Sequence, residues 1–241
     1  MTGYRLNRDV YMCQVDGHAM FLNLRNDEYL SLPPDQSRKL AIFLKGELLP
    51  ADETGDNAVQ ALLAEMQEAG LLTRHPKEGK MIAPMEMNLA GRDLGGYRPG
   101  EEPRVRVGHV VYFFRAVLIS LRRLRWEPLH RTVHRLRKRK HKWLELRVLS
   151  SPGPQDCELE QIRELVEIFN FLQPLLFTGR NRCLFQSLAL LEFLAGYGIF
   201  PDWVFGVKMK PFVAHCWLQT HGVVLNDTVD HVSLYTPIMI V

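Results

Sequence analysis
The sequence is poor in cysteine: four in 241 residues, at positions 13, 157, 183 and 216, with no CxxC pair. Cysteines so few and scattered do not make the disulfide framework of a small secreted domain. A zinc ribbon lacks its ligand pairs. No run reaches the roughly 18–20 uninterrupted apolar residues that span a bilayer. The opening MTGYRLNRDVYMCQVDGHAM has no apolar stretch behind its basic residues, so it does not read as a secretory signal. These absences set the expectation of a reducing, cytoplasmic setting. Internal repeats and low-complexity tracts are absent too.

What is present suits a folded chain. Hydrophobic residues make up 46% and charged ones 24%, enough for a packed core and a solvated surface. The net charge of +3 is unevenly spread. Residues 104–147 hold fourteen Lys and Arg against two acidic residues, whereas residues 1–80 hold nine against twelve. A basic stretch invites a nucleic-acid reading, but the N-terminal part is acidic, which a DNA reader usually is not. The run from Arg135 to Lys142 reads as a solvated helix face. Neither nucleic acid nor a membrane is the expected partner.

The fold class expected is α+β in two domains. Val10–Val15 is β-prone and ends at Asp16-Gly17, a two-residue hairpin signal. His18–Leu24 follows, then a turn at Arg25-Asn26-Asp27, then Glu28–Leu32, whose residues alternate between two faces. Pro33-Pro34-Asp35 breaks the sheet and favours a helix over 35–45, with Leu40, Ile42, Phe43 and Leu44 apolar and Gly46 closing it. A second helix over 56–69 carries Val59, Leu62, Leu63 and Met66 at helical spacing. Gly70 is its C-cap candidate, and Leu71–Thr73 returns as a short strand. Residues 1–76 thus read as a winged-helix-like module. Residues 77–103, rich in Pro and Gly, read as a linker, and residues 104–241 as the second domain. There, helices are expected over 110–126, with Val111, Phe114, Val117, Leu118, Leu121 and Leu124 on the apolar face. Others follow over 129–146, with Leu129, Val133, Leu136 and Leu144 inward, over 158–176 and over 183–195. β-like segments come last, at 203–207, 214–219 and 223–227.

Chemistry concentrates around Cys183. It sits where the polar turn Gly179-Arg180-Asn181-Arg182 meets an apolar helical period, so it falls in the first turn of a helix whose inward face is Leu184, Leu188, Leu191 and Leu194. The helix dipole, free amides and the two arginines all favour the thiolate, and those amides could bind an oxyanion. A thiolate nucleophile needs a base and an orienter. His215 starts a strand, and Asp227 ends the next one after the turn His221-Gly222. A hairpin centred on that turn makes the two neighbours. Each residue alone has a plainer reading: a cysteine at a helix start is more often a small buried hydrophobe, a histidine in an apolar strand is more often a satisfied one, and Asn-Asp after a strand is more often a turn. Cys216 is a rival nucleophile by adjacency, but strand alternation turns it from the face of His215, and it reads as structural.

Cys183-Leu184-Phe185-Gln186-Ser187-Leu188, Phe205-Gly206-Val207, Pro211–Trp217 and Asn226-Asp227 together resemble the transglutaminase-like cysteine peptidases of lasso peptide biosynthesis, the B-type leader peptidases. One departure is Cys216, where that family more often carries Ala. The stretch Phe21–Pro33 is similar to that family's precursor recognition domain, itself similar to the pyrroloquinoline quinone chaperone. The resemblance implies a C-terminal domain of transglutaminase-like, papain-like α+β fold. It implies an enzyme that cuts a ribosomally made precursor between leader and core. Cys183 would attack, His215 would move the proton, and Asp227 would orient the imidazole, with no metal and no cofactor. The partners implied are the precursor peptide and an ATP-dependent lasso cyclase of asparagine-synthetase type.

Glu28, Tyr29, Leu30, Ser31 and Leu32 are then expected as an edge strand to which an extended leader adds, with side-chain pockets between it and helix 56–69. Two other readings stay open. One is a peptide-binding module or chaperone with an inert thiol. The other is an acyltransferase using the same Cys-His-Asp set with an amine acceptor.

Overall fold
The structure, a computed structural model, describes residues 3–45, 55–81, 87, 90–95, 103–148, 155–175 and 183–241. Gly46, the turn before Cys183 and the side chains of Phe43, Leu44 and Cys157 lie outside what is described. The chain divides into two compact units: Met1–Met87 with Val207–Val213 and Thr236–Met239, and Asn88–Gly206 with Ala214–Tyr235 and Ile240–Val241.

In the N-terminal stretch, β2 (Val10–Val15), β3 (His18–Asn23) and β4 (Glu28–Leu32) form an antiparallel meander. Asp16 and Gly17 take φ of 50° and 80°, the double left-handed conformation of a type I′ turn. Helix α1 (Pro34–Lys45) opens on a proline, whose missing N–H costs nothing at that position. Buried Ser37 fastens α1 to the sheet: its Oγ accepts the Ala19 amide at 2.7 Å and donates to Pro33 O at 2.8 Å. Helix α2 (Gly55–Glu68) brings Val59, Leu62, Leu63 and Met66 onto Phe21 and Leu40. A second sheet, absent from the sequence reading, has β1 (Arg5–Asn7) at its centre between β5 (Leu72–Thr73) and β6 (Gly79–Lys80). The stretch read as a linker therefore contains paired strand: β6, and also β7 (Arg92–Asp93), which runs parallel to β10.

Then come α3 (Val107–Trp126), α4 (Leu129–Val148), α5 (Gln155–Leu172) and α6 (Cys183–Ala195). After them come β8 (Asp202–Met209), β9 (Phe212–Thr220), β10 (Val223–Val224), α7 (Val229–Val232) and β11 (Thr236–Ile240). The strands form one sheet in the order β11-β8-β9-β10-β7. The architecture is mixed α+β, helices before strands. Among the described residues no helix is long and apolar enough to cross a membrane.

Helix α6 is apolar on nearly all sides, with Leu188, Ala189, Phe193 and Leu194 fully buried, as a central helix must be. Its one charge, Glu192, is 6% exposed and is met by Arg123 of α3 and by Arg139 of α4 at 2.8 Å. Burial of a carboxylate is tolerated only with such partners. The basic run is a solvated face in part: Arg135, Lys138, His141 and Lys142 are exposed, as expected, whereas Arg137, Arg139 and Lys140 are half-buried. Arg135 pairs with Glu127, Arg137 donates to Ile240 O at 2.7 Å, and Lys140 pairs with Asp202. Several cations there close the fold.

The apolar face expected of α3 also needs correction. Val111, Phe114, Leu118 and Leu121 are exposed, Leu118 by 64%. The buried stripe is Phe113, Ala116, Val117, Ser120 and Arg123. Small Ala116 and Ser120 let α6 approach closely, and Arg123 must reach Glu192. Packing against one specific neighbour selected between two stripes of similar period. On α4, Leu129, Val133 and Leu136 are buried as expected, but Leu144 is 46% exposed.

Candidate active site
Cys183 is the first residue of α6. The first amides of a helix lack internal acceptors, and the dipole is positive there. Arg180 and Arg182, expected to add charge, lie outside the described residues.

His215 and Asp227 are delivered by one hairpin. His221 and Gly222 take φ of 49° and 71°, and β9 and β10 pair with Thr220 opposite Val223. β10 ends at Val224, but Leu225 N still donates to Leu218 O at 2.9 Å. Asn226 Oδ1 then accepts the Leu218 amide at 2.7 Å, so a side chain continues the ladder. The next residue, Asp227, accepts the His215 Nε2–H on Oδ2 at 2.5 Å. The Cys183 sulfur lies within hydrogen-bonding reach of the His215 ring. The three expected residues are thus brought together.

The ring of His215 is held on its flat sides as well. It stacks along Trp217 at 6.1 Å and 21° and meets Tyr235 at 5.1 Å. Gly206 of β8 permits this: a Cβ there would lie 2.8 Å from the Trp217 ring and 2.9 Å from Tyr235 Cβ.

The electrostatics follow from these contacts. Hydrogen bonds from Cys216 and His215 outweigh burial and bring the Cys183 thiol down to about 4. Burial pulls the His215 ring down, but its hydrogen bonds to Asp227 and Cys183 and their charges prevail, raising it to about 9. Burial pushes the Asp227 carboxyl up, but hydrogen bonds from His215, His231 and the Thr228 amide bring it to about 2. Between these values the site holds a thiolate beside an imidazolium.

Three residues were missed by the sequence reading. His231 of α7 donates from Nδ1 to both Asp227 oxygens, at 3.0 and 2.9 Å. Its spacing of four from Asp227 was the available signal. Ser187 and Trp203 lie deeper: Trp203 Nε1 donates to Ser187 Oγ at 2.8 Å, and Ser187 Oγ stands 3.3 Å from Cys216 Sγ. Cys216 is buried, as its structural reading expects. Alternation does turn it from the face of His215. It faces α6 instead, and Cys183 at the start of α6 is within reach of its thiol and its backbone N–H. His215, Asp227 and His231 also offer one donor atom each within 4.8 Å, a grouping that could hold a cation. His215 Nε2 and Asp227 Oδ2 are already engaged with one another.

Glu28–Leu32 is β4, at the edge of its sheet. Only part of it faces outward. The type I′ turn makes Val15 and His18 a hydrogen-bonded pair, and such pairs alternate along a ladder. The amide of Leu24 donating to Asp9 O at 3.0 Å fits that phase. Phe21 and Asn23 therefore direct their amides and carbonyls at β4, onto Leu30 and Glu28, while at the end of the ladder the Ala19 amide, opposite Leu32, is taken by Ser37 Oγ. The backbone groups of Ser31 point away from β3.

Residues 128–240 match the family model described as the Transglutaminase-like superfamily. No curated protein and no solved structure matches the chain.

Proposed function
We propose that this chain, carrying a transglutaminase-like domain over residues 128–240, is a cysteine peptidase that removes the leader from a lasso peptide precursor. The observation that carries the reading is the pairing of a thiol lowered to about 4 with an imidazole raised to about 9 and bonded to a carboxylate. That pairing suits acyl transfer from a peptide bond.

In the first step the Cys183 thiolate attacks the scissile carbonyl carbon. The free amides at the start of α6 would receive the oxyanion. Collapse breaks the C–N bond, and His215 passes its proton to the leaving amine. The leader remains as a thioester on Cys183. Water, deprotonated by His215, then attacks that carbonyl and returns the thiolate. Asp227 acts through His215, fixing its tautomer and stabilising its charge.

Residues 1–76, read as a winged-helix-like recognition module, would take the leader as an added strand on β4. The outward backbone groups of Ser31 would supply its partners, with Glu28, Tyr29, Leu30 and Leu32 forming the rest of the receiving strand. Glu28 and Leu30 hold the strand to β3. The reading implies two partners, the precursor and an ATP-dependent cyclase of asparagine-synthetase type that would close the ring. A cytoplasmic setting goes with it.

The test is mass analysis of a precursor peptide incubated with the protein. Leader and core separated with gain of one water support the peptidase. An amine adduct on the cleaved acyl fragment identifies an acyltransferase instead. An intact precursor bound without cleavage, together with an unreactive Cys183, identifies a binding module.

A further inference from the structure
We propose that Cys216 is a positioning residue for the nucleophile: its buried thiol, seated by Ser187 and Trp203, directs its hydrogen at the Cys183 sulfur. This rests on the reading of Cys183 as the attacking thiolate.

The Cys216 side chain is 2% exposed, so it has no water to bond. Its polar neighbours form a short buried chain. Trp203 Nε1 can only donate, and it fills one lone pair of Ser187 Oγ at 2.8 Å. The single hydrogen of Ser187 lies between the Cys183 carbonyl at 2.7 Å and the Cys216 sulfur at 3.3 Å. In the Ser187–Cys216 contact either group can donate, so the hydrogen of Cys216 is not committed to Ser187. That hydrogen has two acceptors in reach, the neutral oxygen of Ser187 and the sulfur of Cys183. A hydrogen bond to an ionised acceptor is about twice as strong as one between neutral groups, so a thiolate at 183 takes it. Burial raises the Cys216 thiol well above its ordinary value, which keeps it a donor wherever the enzyme would work. The backbone N–H of Cys216 reaches the same sulfur. Residue 216 thus supplies two donors and His215 one. Ser187 sits on the same helix as Cys183, so it ties the donor to the acceptor's own backbone.

The strand geometry explains why the two neighbours divide the work. His215 and Cys216 point to opposite faces of β9. One stands among Trp217, Tyr235 and His231; the other meets α6 through Ser187. Cys183 is held from both sides.

The test uses the full chain and iodoacetamide, reading the alkylation rate of the Cys183 peptide by mass spectrometry from pH 3 to 10. Cys216→Ala removes the donor, and the alkylation midpoint is expected to rise by about 1–2 pH units. Cys216→Ser restores a donor and is expected to bring the midpoint back to within roughly half a unit of the unmodified protein. Ser187→Ala leaves Cys216 in place but unseated, and an intermediate midpoint is expected. A midpoint in Cys216→Ala equal to that of the unmodified protein overturns the proposal, as does Cys216→Ser displaced as far as Cys216→Ala. Circular dichroism shows which variants fold. If Cys216→Ala does not, an unmoved midpoint in Ser187→Ala overturns it. A displaced midpoint in a protein that cleaves no precursor supports this inference and counts against the peptidase. Cleavage with an unmoved midpoint does the reverse.

Discussion
His215 donates from Nε2 to Asp227 at 2.5 Å while its ring stays within reach of Cys183. The carboxylate thus engages one ring nitrogen, while Trp217 and Tyr235 hold the plane of the ring. Asp227→Asn removes the charge and offers an amide in its place. The loss in kcat/KM on a precursor peptide is expected to be on the order of 10²–10⁴. A value within about threefold of the unmodified protein would show that the carboxylate does not act through the ring.

The pH dependence follows from the same three groups. As pH falls through about 4, Cys183 gains a proton and the nucleophile is lost. As pH rises through about 9, His215 loses the proton it gives to the leaving amine. A profile of kcat/KM with a plateau between these limits is expected, its two limbs belonging to the pair jointly. Iodoacetamide needs only the thiolate, so its reaction should keep the acid limb without falling above 9. An acid limb near 8, the ordinary thiol range, would remove the ion pair from the mechanism.

Where the sequence was legible, local chemistry and tertiary packing agreed. Asp16-Gly17 and His221-Gly222 demand left-handed turns, and each turn fixes the register of a whole hairpin. That is why His215 and Asp227 could be paired on paper. Helix α6 was legible because nothing but burial suits so apolar a run. Strands β1, β6 and β7 were not, since two or three residues carry no period and exist only through their partners. Of the face expected on α3 only Val117 is fully buried, because Phe114 and Leu118 match helical spacing as well as Phe113 and Ala116 do. The choice fell to α6 and to Arg123, far away in sequence. The direction of Cys216 was legible in the alternation of its strand, but its place beside Cys183 was not, because which element covers a strand face is not written in the strand.

Glu192 provides a test of how α6 is held. Its side chain is 2% exposed and neutralises Arg123, itself 7% exposed. Glu192→Ala strands a buried guanidinium and is expected to cost about 3–5 kcal/mol. In a chain of this length that is a fall in Tm of roughly 6–20 °C. Differential scanning calorimetry reads it. A fall under about 2 °C would mean that the arginines relax to water without loss.

Gly206 tests the support of the imidazole. In Gly206→Ala the new methyl meets the Trp217 ring at 2.8 Å and Tyr235 Cβ at 2.9 Å, so the rings that flank His215 must shift. Overpacking of this kind costs about 1–3 kcal/mol. Activity is expected to fall further than stability alone explains, because the imidazole loses its fixed direction. Equal kcat in the folded fraction of the variant would show that the stack against Trp217 is dispensable.

The edge of β4 separates binding from chemistry through two neighbouring substitutions. Leu30 spends its amide on β3, opposite Phe21, so Leu30→Pro breaks the meander itself. Ser31 points its amide away from the sheet, and Ser31→Pro removes only the donor that an added strand would use. Proline is tolerated at such edge positions. Ser31→Pro is therefore expected to fold, to keep the iodoacetamide rate of Cys183, and to weaken binding of a leader peptide by about tenfold, one charge-neutral hydrogen bond. Fluorescence anisotropy of a labelled leader gives the affinity. Unaltered affinity in a folded Ser31→Pro protein would place the leader elsewhere than on β4. Parallel loss of affinity and thiol reactivity would show that the edge strand and the nucleophile do not work as separate parts.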